Sequence, residues 1–199
     1  MESVPAEFIE DVTRSIWVRP LDNFRNDFRG IWSTFATKTC DLLGVNVRLR
    51  VSGDSVYYCL RRGESYETFD LALLNPKNNY IHTIYIEQSK PHTPYSILTE
   101  EALAKLKIML STGRRRLFHF DLFDACGGSP QVRRLLDSVV SVEKCEVNAD
   151  DHRLNPFYRR ILNQTVNRFI SRLNSEINEE LLSKALKEKQ LRQVSRRLW

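Results

Sequence analysis

One spacing recurs through the second half of this chain and limits what that half can become. Apolar residues three apart occur at Leu117/Phe120, Val142/Cys145, Val166/Phe169 and Leu191/Val194, at steps of 25, 24 and 25 residues. A further slot, two residues on, holds Leu122 and Val147 and decays to Ser171 and Arg196. Ile81, Ile84 and Ile86 read as an earlier copy. Between these segments the apolar period is helical. Leu98, Ala102, Leu106, Met109 and Leu110 form one face, opened by Thr99 as N-cap with Glu100 and Glu101 in the first turn. Ser129-Pro130 opens a second helix, carrying Val132, Leu135, Leu136 and Val139. Asn155-Pro156 opens a third, with Phe157, Ile161 and Leu162, and Asn178 a fourth, with Leu181, Leu182, Ala185 and Leu186. Each unit is a strand followed by a helix, which predicts parallel strands joined by right-handed crossovers.

An apolar-x-x-apolar-x-apolar strand at this period resembles a leucine-rich repeat, although the Asn/Cys ladder position is missing. An ordinary α/β domain with evenly spaced elements is the alternative, and it makes the same parallel strands.

Upstream, over residues 45–87, the period is two. Val45, Val47, Leu49 and Val51 alternate with Asn46, Arg48 and Arg50. Ser52-Gly53-Asp54 is a turn, and Val56 to Leu60 a second strand. Tyr66 to Leu74 is expected as a third and Ile81 to Glu87 as a fourth, with Asn75-Pro76-Lys77 turning between them. Short strands with hairpin-sized turns predict an antiparallel meander. Before it, residues 4–35 carry Phe8, Ile9, Val12 and Ile16, break at Pro20, and resume at Leu21, Phe24, Phe28, Ile31 and Trp32. Two or three short amphipathic helices are expected, too small to bury every apolar side chain they carry. The overall expectation is an α+β chain: a helical module over 1–43, a β-rich meander over 44–95, and strand–helix repeats over 96–199.

The chain has 199 residues, of which 42% are hydrophobic, enough for a substantial core. Its 30 basic and 25 acidic residues are interspersed, and a net charge of +5 is a weak bias beside the concentrated basic stripe of a dedicated nucleic-acid binder. Arg114-Arg115-Arg116 and the basic tail ending at Trp199 are read as solvated charge or helix-end charge, so nucleic acid is not an expected partner. Cys40, Cys59, Cys126 and Cys145 form no CxxC and have no His at a zinc-ligand offset, which reads as reduced, buried thiols. Glu2, Glu7, Glu10 and Asp11 interrupt any apolar leader. No membrane association is expected, and an intracellular location, cytoplasmic or nuclear, is.

Signals for chemistry are sparse. His82, His92, His119 and His152 are scattered, and His119-x-Asp121 on one side of a strand is the usual structural pattern. Gly127-Gly128 lacks the Lys of a phosphate loop. Neither cofactor nor metal is expected on these grounds. The one enzymatic pattern is Asp70, then Glu87 or Gln88, then Lys90. It resembles a PD-(D/E)xK nuclease core, in which acids hold Mg²⁺ and a lysine steadies the attacking water. The Pro before the Asp is missing.

A stronger resemblance lies at the start. Val4-Pro5-Ala6-Glu7, then Ile9 and Val12, then Pro20-Leu21-Asp22, then Phe28 and Ile31-Trp32, follow the order and span of an F-box. The chain resembles the divergent, nematode-type F-box family, whose members continue into a strand–helix region called FTH. Val-Pro stands for the usual Leu-Pro, Arg19-Pro20-Leu21-Asp22 replaces the usual Leu-x-Asp-Leu, and Arg29-Gly30 precedes the Trp. The resemblance implies a non-enzymatic substrate receptor of a cullin-RING ubiquitin ligase. Val4, Pro5, Phe8, Ile9, Val12, Leu21, Phe24, Ile31 and Trp32 would engage a Skp-type adaptor and, through it, a cullin. The repeat-like region would present an unknown protein substrate. Two alternatives stand beside it: the nuclease, and a binding scaffold that no longer binds an adaptor.

Overall fold

A computed structural model describes residues 43–62, 67–111, 117–124, 126–147, 151–162, 166–171, 183, 187 and 191–196. The helical module over 1–43 lies outside them except for Leu43, as do Arg114-Arg115-Arg116 and Trp199. So does the helix expected from Asn178, apart from single residues.

The described chain is mixed α/β. One sheet of eight strands carries it, in the order β4-β2-β1-β3-β5-β6-β7-β8. β1 is Leu43–Ser52, β2 Ser55–Arg62, β3 Asn79–Gln88 and β4 Ser96–Ile97. Helix α1, Glu100–Ser111, leads to β5, Leu117–Leu122. Helix α2, Pro130–Leu136, leads to β6, Val142–Val147. Helix α3, Asn155–Leu162, leads to β7, Val166–Ser171, and β8 is Leu191–Arg196.

From β1 through β3 and on to β8 every neighbouring pair is parallel. The repeat spacing is realised as register. Phe120 pairs with Cys145, Cys145 with Phe169 and Phe169 with Val194, while Ile84 of the earlier copy pairs with Phe120. Because side chains alternate along a strand, in-register partners share a face. Val47, Ile84, Phe120 and Cys145 are therefore one buried row, and Leu49, Ile86, Leu122 and Val147 the next. Leu117 and Val142, at the first slot of their repeats, are buried as well.

The helices close this face. Thr99 Oγ1 accepts from the Ala102 amide at the start of α1, and Ser129 accepts from the Val132 amide at the start of α2, with Pro130 in its first turn. Each cap satisfies an amide that the helix leaves orphaned. Ala102, Leu103, Leu106, Met109 and Leu110 from α1, Val132, Leu135 and Leu136 from α2, and Phe157, Tyr158, Ile161 and Leu162 from α3 join the strand rows in one core. Leu103 is absent from the face read in the sequence. Arg134 of α2 grips Glu100 of α1 through two parallel hydrogen bonds of 2.8 and 2.7 Å.

The meander is corrected. β1 and β2 form the expected antiparallel hairpin, turning at Gly53, whose φ of 59° favours glycine. β3, however, adds to the other edge of β1 and runs parallel to it. The strand expected over Tyr66 to Leu74 reduces, among the described residues, to one antiparallel bridge between Thr68 and Arg61. Asp70 ends it. Its carboxylate accepts from the Ala72 amide and caps a 3₁₀ turn, Leu71–Leu73, so the backbone amides turn inward on themselves. Leu74 is buried and Phe69 and Leu71 pack partly against the core, while Leu73 stays exposed, so part of the apolar run packs a crossover. β4 takes the free edge of β2.

Candidate functional site

The strand face turned away from the core rows is polar. Its rows follow from the same register. Asn46, Thr83, His119 and Lys144 form one; Arg48, Tyr85, Asp121 and Glu146 form the next; Arg50 and Glu87 begin a third. The alternation that directs Phe120 and Leu122 into the core directs His119 and Asp121 out of it. This face is nevertheless largely withdrawn from water at its centre, where Asp121 is 5% and Glu146 7% exposed.

His119, Asp121 and Glu146 each bring a potential ligand atom within 4.8 Å of the others. Among the described residues this is the one such group of three. The Lys144 ammonium lies 3.2 Å from Glu146 Oε2. His119 Nε2 lies 3.6 Å from the same oxygen, too far for a hydrogen bond, and is buried with no hydrogen-bond partner. Burial first, and the Lys144 charge second, hold the His119 imidazole down to about 4 against the opposing pull of Glu146. The ring is therefore neutral at physiological pH and offers a lone pair. Tyr85 meets it edge-on, with ring centroids 5.9 Å apart, and the Arg48 guanidinium stands 5.1 Å from the Tyr85 ring centroid.

Toward the carboxyl ends of β1 and β3 the face opens into a pocket of about 170 Å³, lined by Arg48, Leu49, Tyr85, Glu87 and half-exposed Phe123. At its rim the Arg50 guanidinium donates to Glu87 Oε1, contacts His92 Nδ1, and stacks over Tyr95 at 4.4 Å. Arg48, Glu87 and the rings of Tyr85 and Phe123 give this cleft a lining of both charges and aromatic surface.

The residues singled out in the sequence fare differently. Val4, Pro5, Phe8, Ile9, Val12, Leu21, Phe24, Ile31 and Trp32 lie outside the described residues. Members of the nuclease set make other contacts. Asp70 is occupied as a cap beside α1, where Lys105 donates to the Ala72 carbonyl. Glu87 is occupied by Arg50 on the polar face. The Gln88 amide donates to Asp124 Oδ2, and the Lys90 carbonyl accepts from Arg50. Conversely, Lys144 and Glu146 drew no notice in the sequence. The signal was present: one 25-residue step takes His119 to Lys144 and Asp121 to Glu146.

No family model matches this chain, and no curated protein or solved structure with which it was compared does so either.

Proposed function

We propose that this chain is a non-enzymatic interaction protein, an F-box-type receptor that joins a protein substrate to a Skp-type adaptor and hence to a cullin-RING ubiquitin ligase. The single observation that supports a recognition role for the sheet is the in-register run Ile84–Phe120–Cys145–Phe169–Val194. It stacks parallel strands one repeat apart, as a leucine-rich-repeat-like solenoid does, and leaves a second, polar face outside the hydrophobic core. The pocket between Arg48, Tyr85, Glu87 and Phe123 is the place on that face where a substrate side chain would enter.

The adaptor contact would come from Val4, Pro5, Phe8, Ile9, Val12, Leu21, Phe24, Ile31 and Trp32, on the F-box resemblance. The experiment is co-purification of the full chain with a Skp-type adaptor. Capture is expected, and Trp32→Ala or Pro5→Ala should weaken it by about tenfold or more, as removal of one packed anchor does. Capture indifferent to both substitutions, or no capture at all, would sink the reading.

A further inference from the structure

We propose that His119, Asp121 and Glu146 form a divalent-metal site of the zinc class, bridging β5 and β6 on the polar face of the sheet.

The strand register sets the geometry. Asp121 and Glu146 are directly paired on neighbouring strands, and His119 stands two residues back on the same face as Asp121. Three ligand atoms already lie within 4.8 Å of one another. Zinc bonds of about 2.0–2.2 Å in a tetrahedron place ligand atoms about 3.3 Å apart, so small rotations of three side chains close the site. No backbone movement is needed, because adjacent parallel strands already hold the Cβ atoms on one side.

The donor set matches the ion. One imidazole and two carboxylates are borderline-to-hard ligands, suited to Zn²⁺ or Mn²⁺ more than to Mg²⁺, which prefers oxygen alone and keeps its waters. Three protein ligands leave a fourth position open. Two buried carboxylates are costly unless compensated. The Lys144 ammonium contributes, 3.2 Å from Glu146 Oε2. A plain ion-pair network would explain that contact, yet it leaves His119 Nε2, buried 3.6 Å from Glu146 Oε2, without a hydrogen bond of normal length. A metal gives that nitrogen a role as ligand. On this reading Lys144 is the resident cation that an incoming metal displaces from Glu146.

The experiment uses the full-length chain, stripped with chelator and titrated with ZnCl₂, MnCl₂ or MgCl₂ by calorimetry. One Zn²⁺ per chain is expected, bound at least tenfold tighter than Mg²⁺. Asp121→Asn, Glu146→Gln and His119→Ala should each weaken zinc at least tenfold. Lys144→Gln should strengthen it several-fold by removing the competitor. Co²⁺ bound to the wild-type chain should show tetrahedral visible absorption that Glu146→Gln abolishes. Circular dichroism of the isosteric variants separates lost ligation from lost folding, and the wild-type titration decides even where a variant fails to fold. Absence of stoichiometric zinc binding by the wild-type chain would overturn the proposal. So would zinc affinity unchanged in folded Asp121→Asn and Glu146→Gln, or a preference for Mg²⁺ over Zn²⁺.

Discussion

The Asp151 carboxylate accepts a hydrogen bond from the Gly127 amide, 24 residues away in sequence, and ties the loop before α2 to the turn before α3. The same carboxylate accepts from the Arg153 amide and from its guanidinium, and Asp151 is only 2% exposed. A charged acceptor serving several donors in a buried position is costly to remove. Asp151→Ala should lower unfolding free energy by about 2–3 kcal/mol, measured by urea titration. Gly127→Ala should cost a similar amount. A Cβ there would stand 2.7 Å from Asp151 Oδ2 and 2.8 Å from Leu154 Cγ, so the loop must shift.

Burial alone would raise the Asp151 pKa, but the Arg153 guanidinium and the Gly127 amide together hold it below the usual value. A carboxylate depressed in the folded state stabilises fully above its unfolded pKa and loses that contribution as pH falls through the folded value. The Asp151→Ala penalty should therefore be full at pH 6 and shrink below about pH 4. A penalty independent of pH across that range would contradict the assignment.

His119 works in the opposite sense. Its folded pKa of about 4 lies below the ordinary 6.5, so acidification charges the unfolded chain first. In chelator-treated protein, stability should be level above pH 7 and fall between pH 6.5 and 4, by at most about 3.4 kcal/mol at 1.36 kcal/mol per tenfold in proton affinity. His119→Asn should flatten that segment of the curve. Thermal unfolding followed by circular dichroism across pH 4–8 reads both effects.

Phe120 is fully buried and meets the Phe157 ring with centroids 5.0 Å apart and planes tilted by 59°. It joins the central row of the sheet to α3. Phe120→Ala should cost about 3–5 kcal/mol, the loss of transfer energy plus a cavity. Phe120→Leu should cost less, since much of the volume remains. Denaturant midpoints with an unchanged slope would establish that stability alone has moved.

Thiol chemistry provides an independent check of the packing. Cys59, Cys126 and Cys145 are buried. Burial pushes the Cys126 thiol up to about 12 and raises Cys145 well above its ordinary value. Thiolate, not thiol, reacts with alkylating agents. None of the three should be modified by iodoacetamide at pH 8 in the native chain, and all should be modified in urea. Peptide mass mapping would show it, and rapid native labelling of Cys145 would mean that the β5–β6 core row is not formed.

Much of the fold was legible in the residues because local rules decided it. The step from Phe120 to Cys145, Phe169 and Val194 specified register, and in β5 and β6 that alignment puts Phe120 and Leu122 beside Cys145 and Val147 on one face. Thr99 and Ser129 specified helix starts through hydrogen bonds to amides three residues on. What happens between β2 and β3 escaped because it turns on a competition. The run from Phe69 to Leu74 has strand composition, yet the Asp70 carboxylate captures the Ala72 amide, and Leu74 gains more by burial in the core than by pairing at an edge.

The candidate site divides in the same way. The sequence by itself determined that His119 and Asp121 share one side of a strand, because side chains two apart always do. Only the tertiary structure decided what stands beside them. Parallel pairing of β5 with β6 sets Lys144 next to His119 and Glu146 next to Asp121, 25 residues away in the chain. The low water content of that face then makes the imidazole neutral and the carboxylates dependent on a nearby cation. Neighbours across strands and their dielectric environment are properties of the assembled sheet, and no single strand contains them.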